Sequence, residues 1–145
     1  MSGLSGAWQA WALGSAAFAA LTAIFAKVGV AGVNPDFATF VRTLVILAAI
    51  ALMLTLAGGW QAPGTVPARS WIFLVLSGLA TGASWLCYFR ALQLGKASEV
   101  APVDKLSVVL VALFAALFLG EQLSPAHWAA VVMIGGGALL LALPI

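Results

Sequence analysis

Apolar residues run along the chain in five long blocks, with turn-forming and charged residues gathered mostly between or near their ends. The first block covers residues 8–30 and stops at the turn over 32–35. The second begins near Pro35 and Asp36, a proline fitted to the first helical position and a carboxylate suited to the positive helix end, and closes at Gly58 and Gly59. A longer connection with Pro63, Gly64 and Pro67 follows. The third block is expected over about 71–94, ending at Gly95. The fourth runs over 98–119, with Ser98 as its cap and Glu99 in its first turn, and stops at Gly120. The fifth starts at Ser124 and Pro125 and ends near Pro144.

Each block has about the 20 residues that cross a ~30 Å hydrocarbon core at ~1.5 Å per residue. The reading is an all-α, polytopic membrane protein, one domain over 1–145 with helices at 8–30, 36–57, 71–94, 98–119 and 125–144. Composition agrees: of 145 residues, 64% are hydrophobic and 7% charged, whereas a soluble domain is about half apolar and a quarter charged. So short a soluble chain has too little interior for that much apolar surface. Before Trp8 there is no Lys or Arg, so the first block reads as a retained helix and not a cleaved signal. Cys87 is the one cysteine, so no disulfide forms within the chain. The net charge of +2 rests on few residues and no clustered basic face, so nucleic acid is not an expected partner. No His/Cys group suggests a metal, no Ser/His/Asp set suggests hydrolysis and no phosphate loop is present. Neither enzymatic activity nor a cofactor is expected.

An odd number of spans puts the termini on opposite sides. On the N-terminal side, face A, the loops hold Arg69 and Glu121; on the other, face B, lie the 31–35 and 95–97 connections. Basic residues near helix ends (Lys27, Arg42, Arg90, Lys105) enrich face B, which would make it cytoplasmic. The loops themselves carry so little bias that insertion both ways stays open.

Charge within a span is the most informative feature, since it costs about 2.5–3.5 kcal/mol on insertion scales unless paired or hydrated. Counted from face B, Lys27 and Arg90 lie about one turn deep, and Arg42, Asp104 and Lys105 about 9–12 Å deep. Lys27 and Arg90 either snorkel to the headgroups or line a cavity. Asp104 is too short to snorkel and is expected to pair with Lys105, Arg42 or Arg90. On the third span Ser77, Thr81, Ser84 and Tyr88 share one face, either as a polar lining or bonding back to the helix. Trp85 beside them stacks on a ligand or packs. Pro102 leaves a carbonyl without its helical partner and predicts a bend beside Asp104 and Lys105. The first span's seam of Trp8, Trp11, Ser15, Phe18, Thr22 and Phe25 reads as helix packing. Gly135 to Gly137 make a smooth patch that hints at a dimer, and Gly78 and Gly82 form a GxxxG.

These residues bring a family into view. LGKASEVAP over 94–102, LGEQLS over 119–124 and the glycine-rich last span resemble the EamA-type domain of the drug/metabolite transporter superfamily. FVRT over 40–43 and YFRAL over 88–92 are similar to its pattern as well, and the likeness covers all five helices. Tandem members carry two such domains; this chain resembles the small five-helix bacterial and archaeal branch. It departs at VDKLSV over 103–108, where many members have a proline near position 108. The resemblance implies a secondary active transporter built on inverted repeats, in the cell (inner) membrane. One five-helix domain supplies the equivalent by pairing with an oppositely inserted copy. The expectation is an antiparallel homodimer moving a small polar, zwitterionic or anionic metabolite by alternating access. Arg42, Ser77, Thr81, Ser84, Trp85, Tyr88, Arg90, Asp104 and Lys105 would line its path, and Pro102 would bend it. Asp104 would orient Lys105 or carry a coupling proton. The excess of cations disfavours purely cationic cargo. Two other readings stand beside it: a carrier or flippase of lipid-linked molecules, and a non-transporting assembly subunit. Membrane lipids surround the chain in every case.

Overall fold

The computed structural model of the protein describes residues 7–143. Among these the structure is helical with no strand: α1 Ala7–Gly29, α2 Pro35–Ala57, α3 Ala68–Leu94, α4 Ala97–Asp104, α5 Leu106–Phe118 and α6 Pro125–Ala142, with a short 3-10 turn at Pro63–Thr65. Five helices are long and apolar enough to cross a bilayer, with α4 and α5 together making the fourth. The expected end of the last helix at Pro144 lies outside the described residues.

Local chemistry sets most boundaries. Asn34 caps α2 by accepting from the N–H groups of Asp36 and Phe37, with Pro35 in the first turn. Gly58 ends that helix in the left-handed conformation at φ 62°, which glycine adopts without a Cβ penalty. α3 starts at Ala68, ahead of the expected Trp71, after the extended backbone of Val66. Ser98 is not the cap of α4. The helix begins at Ala97 and Lys96 holds the cap position with no side-chain bond, because the connection after α3 is only two residues long. Ser124 does cap α6, accepting from the His127 N–H.

The described residues group into two compact units, one holding α1 as far as Phe25 with α4, α5 and α6, the other holding Ala26–Gln93. In the second, the core sits at the face B end. Val30 and Leu92 are fully buried there, with Phe89, Ala26 and Thr39. Three polar ties surround this knot. Lys27 Nζ donates to the Leu92 carbonyl at 2.6 Å, Gln93 Nε2 to the Val33 carbonyl at 3.1 Å, and Arg90 to Asp36 Oδ2 at 2.7 Å. Lys27 satisfies a carbonyl in the last turn of α3, where helix geometry leaves carbonyls without partners and a cation suits the dipole. Lipid solvates a leucine as well as a neighbouring helix does, so close fit and these bonds hold the knot together.

In the other unit α6 packs along α4 and α5. The shared surface is made of small residues: Ala112 and Ala115 are buried on α5, Val131, Gly135 and Ala138 on α6. A Cβ built on Gly135 would lie 2.9 Å from Val109 Cγ2, while Gly136 and Gly137 have nothing within 4 Å. The glycine patch is thus divided, one member consumed by packing within the chain and two left free. Gly135→Ala is expected to lower stability by about 1–3 kcal/mol through overpacking. Gly136→Ala and Gly137→Ala should be neutral or gain a few tenths to about 1 kcal/mol of helix propensity. Unfolding in mixed micelles titrated with sodium dodecyl sulfate reads the difference. The aromatic seam of α1 does not pack within the chain: Trp8, Trp11, Phe18 and Phe25 are exposed, and the residue of that stretch that is buried is Ala23. Small side chains provide the contact on this helix, and the rings face outward.

Candidate functional site

Arg42 sits about two turns into α2. Its guanidinium carbon lies 4.2 Å from the centre of the Trp85 ring and 5.5 Å from that of Phe89. Trp85 and Phe89 are four residues apart on α3, so they present their rings on one face. Phe89 is held by the buried knot, at 3% exposure, and this fixes the aromatic platform. Among the described residues Arg42 makes no ion pair. The aromatic contact of this half-buried guanidinium is worth about 0.5–2 kcal/mol, against about 2.5–3.5 kcal/mol for an arginine within a span. The remainder is open to water, headgroups or an anion. A guanidinium whose face is covered by an indole still offers its N–H edges, in a fork that matches a carboxylate or phosphate.

The hydroxyl stripe flanks this platform. Thr81 Oγ1 donates to the Ser77 carbonyl at 2.8 Å, bonding back to its own helix. Ser77, Thr81 and Ser84 are exposed and Tyr88 is half-buried. At about 100° per residue, Arg90 projects some 150° around α3 from the centre of the stripe. Its charge is met by Asp36 across a 2.7 Å ion pair. Arg90 and Arg42 therefore differ in kind: one has a carboxylate and the other has only aromatic rings.

On the other unit, the fourth span is interrupted. α4 ends at Asp104, α5 begins at Leu106, and Lys105 between them has φ −71° and ψ −5°. The interruption falls three residues past Pro102 and is crossed by tight i to i+3 bonds, Lys105 N–H to Pro102 O at 3.0 Å and Val108 N–H to Lys105 O at 2.9 Å. Lys105 Nζ meets Asp104 Oδ2 at 3.1 Å, so of the three cations open to Asp104 its own neighbour is the partner. Both are partly exposed, and no group of His, Cys, Asp and Glu able to hold a metal occurs among the described residues.

Residues 6–143 match the EamA-like transporter family. The chain belongs to that family. It is similar to a protein of Sinorhizobium sp. named "Uncharacterized transporter in cobO 3'region", 63% identical over 139 residues, which cover 96% of this chain and 99% of the relative. No solved structure matches the chain. The resemblance carried by LGEQLS holds at family level, and the structure gives that EamA motif a physical meaning. Gly120 takes φ 69°, the Glu121 N–H returns to the Ala115 carbonyl at 3.1 Å, and Ser124 then caps α6 while its hydroxyl meets His127 Nδ1 at 2.8 Å. The stretch is a reversal between two membrane helices. As an EamA-like protein with five long apolar helices, the chain is a multi-pass membrane transporter. Sequence reasoning named Arg42 and Trp85 separately but missed Phe89, which the four-residue spacing from Trp85 would have exposed, and missed Asp36 as the partner of Arg90.

Proposed function

We propose that this chain is a secondary active carrier of a small polar, zwitterionic or anionic metabolite, working by alternating access in the cell (inner) membrane as a homodimer of oppositely inserted copies. The observation that carries the reading is Arg42: a guanidinium within a span, mounted on Trp85 and Phe89, without a carboxylate among the described residues. It offers a recognition edge for an oxyanion, and its own charge argues against a purely cationic substrate. Ser77, Thr81, Ser84 and Tyr88 add hydroxyls on the helix that carries its aromatic platform, and Asp104 with Lys105 forms a separate polar point on the fourth span.

The dimer follows from economy of parts. Transporters of this broad kind place the binding site between inverted repeats, which one five-helix domain does not contain by itself. The match covers 99% of the relative's length. The connections are poor in topogenic charge, with Arg69 near face A and Lys96 near face B. Toward face A, α2 and α3 hold no fully buried residue among the described residues, since the buried residues of these helices are Thr39, Phe89 and Leu92.

The test uses a Cys87→Ser background carrying Gly64→Cys or Lys96→Cys, labelled in intact cells with an impermeant maleimide. Two-way insertion predicts that each position is labelled from outside in a comparable fraction of the protein. Labelling of one position alone would establish a single orientation and remove the antiparallel dimer. Uptake of a panel of amino acids and organic acids into vesicles holding the purified protein then tests the carrier itself.

A further inference from the structure

We propose that Asp104 and Lys105 form a proton-exchange couple: an incoming oxyanion takes Lys105 away from Asp104, and Asp104 takes up a proton in its place. This rests on the carrier reading above and deepens it by naming the coupling ion and its site. Before the exchange the pair is ionised and neutral as a whole, carboxylate with ammonium at 3.1 Å. After it, the ammonium holds the oxyanion and the carboxylate has become a carboxylic acid. One proton enters with each anion bound, so with a monovalent anion the site is again neutral and no net charge moves.

Three features of the structure point there. First, neighbours in sequence do not face each other on a regular helix, being about 100° apart around the axis. Asp104 and Lys105 meet where the helix is interrupted, with ψ of Lys105 at −5°, displaced from the helical value near −42°. The pair and the break occur together, so the charge state of the pair is tied to the geometry of the span. Second, Pro102 has no N–H to give the Ser98 carbonyl, and the interruption follows one turn later. Broken membrane helices of this kind are where carriers hold substrate and coupling ion. Third, the helices of this unit are otherwise silent to protons. α5 carries no ionisable side chain, α6 carries only His127 in its first turn at the opposite membrane face, and the described part of α1 in this unit has none. On α4 itself Glu99 is engaged by Lys96 at 3.0 Å. Asp104 is the carboxylate placed to respond to Lys105.

The experiment uses the full chain in phosphatidylcholine vesicles, with sulfate as the probe because it stays fully ionised over the acidic and neutral range. Infrared difference spectra on adding sulfate are expected to show a carboxylic-acid carbonyl band in the wild type and none in Asp104→Asn or Lys105→Gln. Calorimetric sulfate affinity should fall about tenfold for each unit rise in pH in the wild type, because one proton enters with each anion. It should be flat with pH in Asp104→Asn, where Lys105 is permanently released. A second set of vesicles containing phosphatidylglycerol and no sulfate distinguishes sources: the band appearing there would assign the oxyanion to a lipid headgroup with the couple intact. Absence of the band in both kinds of vesicle up to about molar sulfate, or a sulfate affinity equally pH-dependent in Asp104→Asn, overturns the proposal. Neither readout requires transport or pairing of copies, so failure here leaves the carrier standing, and a band without any uptake would remove the carrier and leave a proton-linked anion site.

Discussion

Arg42→Ala is expected to reduce uptake of the preferred anionic or zwitterionic solute by about 10–150-fold. The estimate follows from losing a charge-assisted, two-pronged contact worth about 1.5–3 kcal/mol, at tenfold per 1.4 kcal/mol. Arg42→Lys should restore little, because an ammonium offers neither the planar fork nor a flat face to lay on the Trp85 ring. Trp85→Phe keeps a π face and should stay near the wild type. Trp85→Leu removes it and should cost about 2–30-fold, matching ~0.5–2 kcal/mol of cation–π attraction. Initial rates in proteoliposomes against solute concentration measure all four. Wild-type rates in Arg42→Ala would remove the guanidinium from the path.

The second large effect concerns stability. Leu92 and Leu94 are two residues apart on the last turn of α3, yet one is 0% exposed and the other 89%. Leu92→Ala should destabilise the fold by about 2–5 kcal/mol, since it opens a cavity beside Val30 and Phe89 that the knot cannot close. Leu94→Ala exchanges one outward-facing apolar side chain for another and should stay within about 0.5 kcal/mol. Unfolding midpoints in sodium dodecyl sulfate measure both, and equal losses would show that the knot is not a packed core. Because Phe89 belongs to that knot and underlies Arg42, Leu92→Ala should also loosen the aromatic platform, seen as a weaker apparent affinity for substrate.

What the sequence disclosed divides along a physical line. Spans, breakers and the Ser124 cap were legible because each depends on a few neighbouring residues and on the thickness of a bilayer. The same logic failed at Ser98, where the short connection after α3 moved the start of α4 upstream and left a good cap residue inside the helix. Pairings between residues distant along the chain were not legible. Lys27 is separated from Leu92, Asp36 from Arg90 and Arg42 from Trp85 by most of two spans, and hydropathy carries no information on which faces meet. The seam of rings on α1 misled for a related reason. Aromatic side chains satisfy lipid and protein equally, so their spacing alone does not say which they face. Among the candidate site residues, the difference between Arg90 with its carboxylate and Arg42 without one was not readable either.

The reversal at Gly120 bears on how such proteins can be altered. The family's most recognisable letters there spell out a backbone manoeuvre, a left-handed glycine, a returning amide and a serine that starts the next helix. Cargo choice is proposed to rest elsewhere, on Arg42 and its rings. Hairpin geometry and selectivity are thus written in separate stretches of polypeptide, and a designer can rewrite the second while leaving the first untouched.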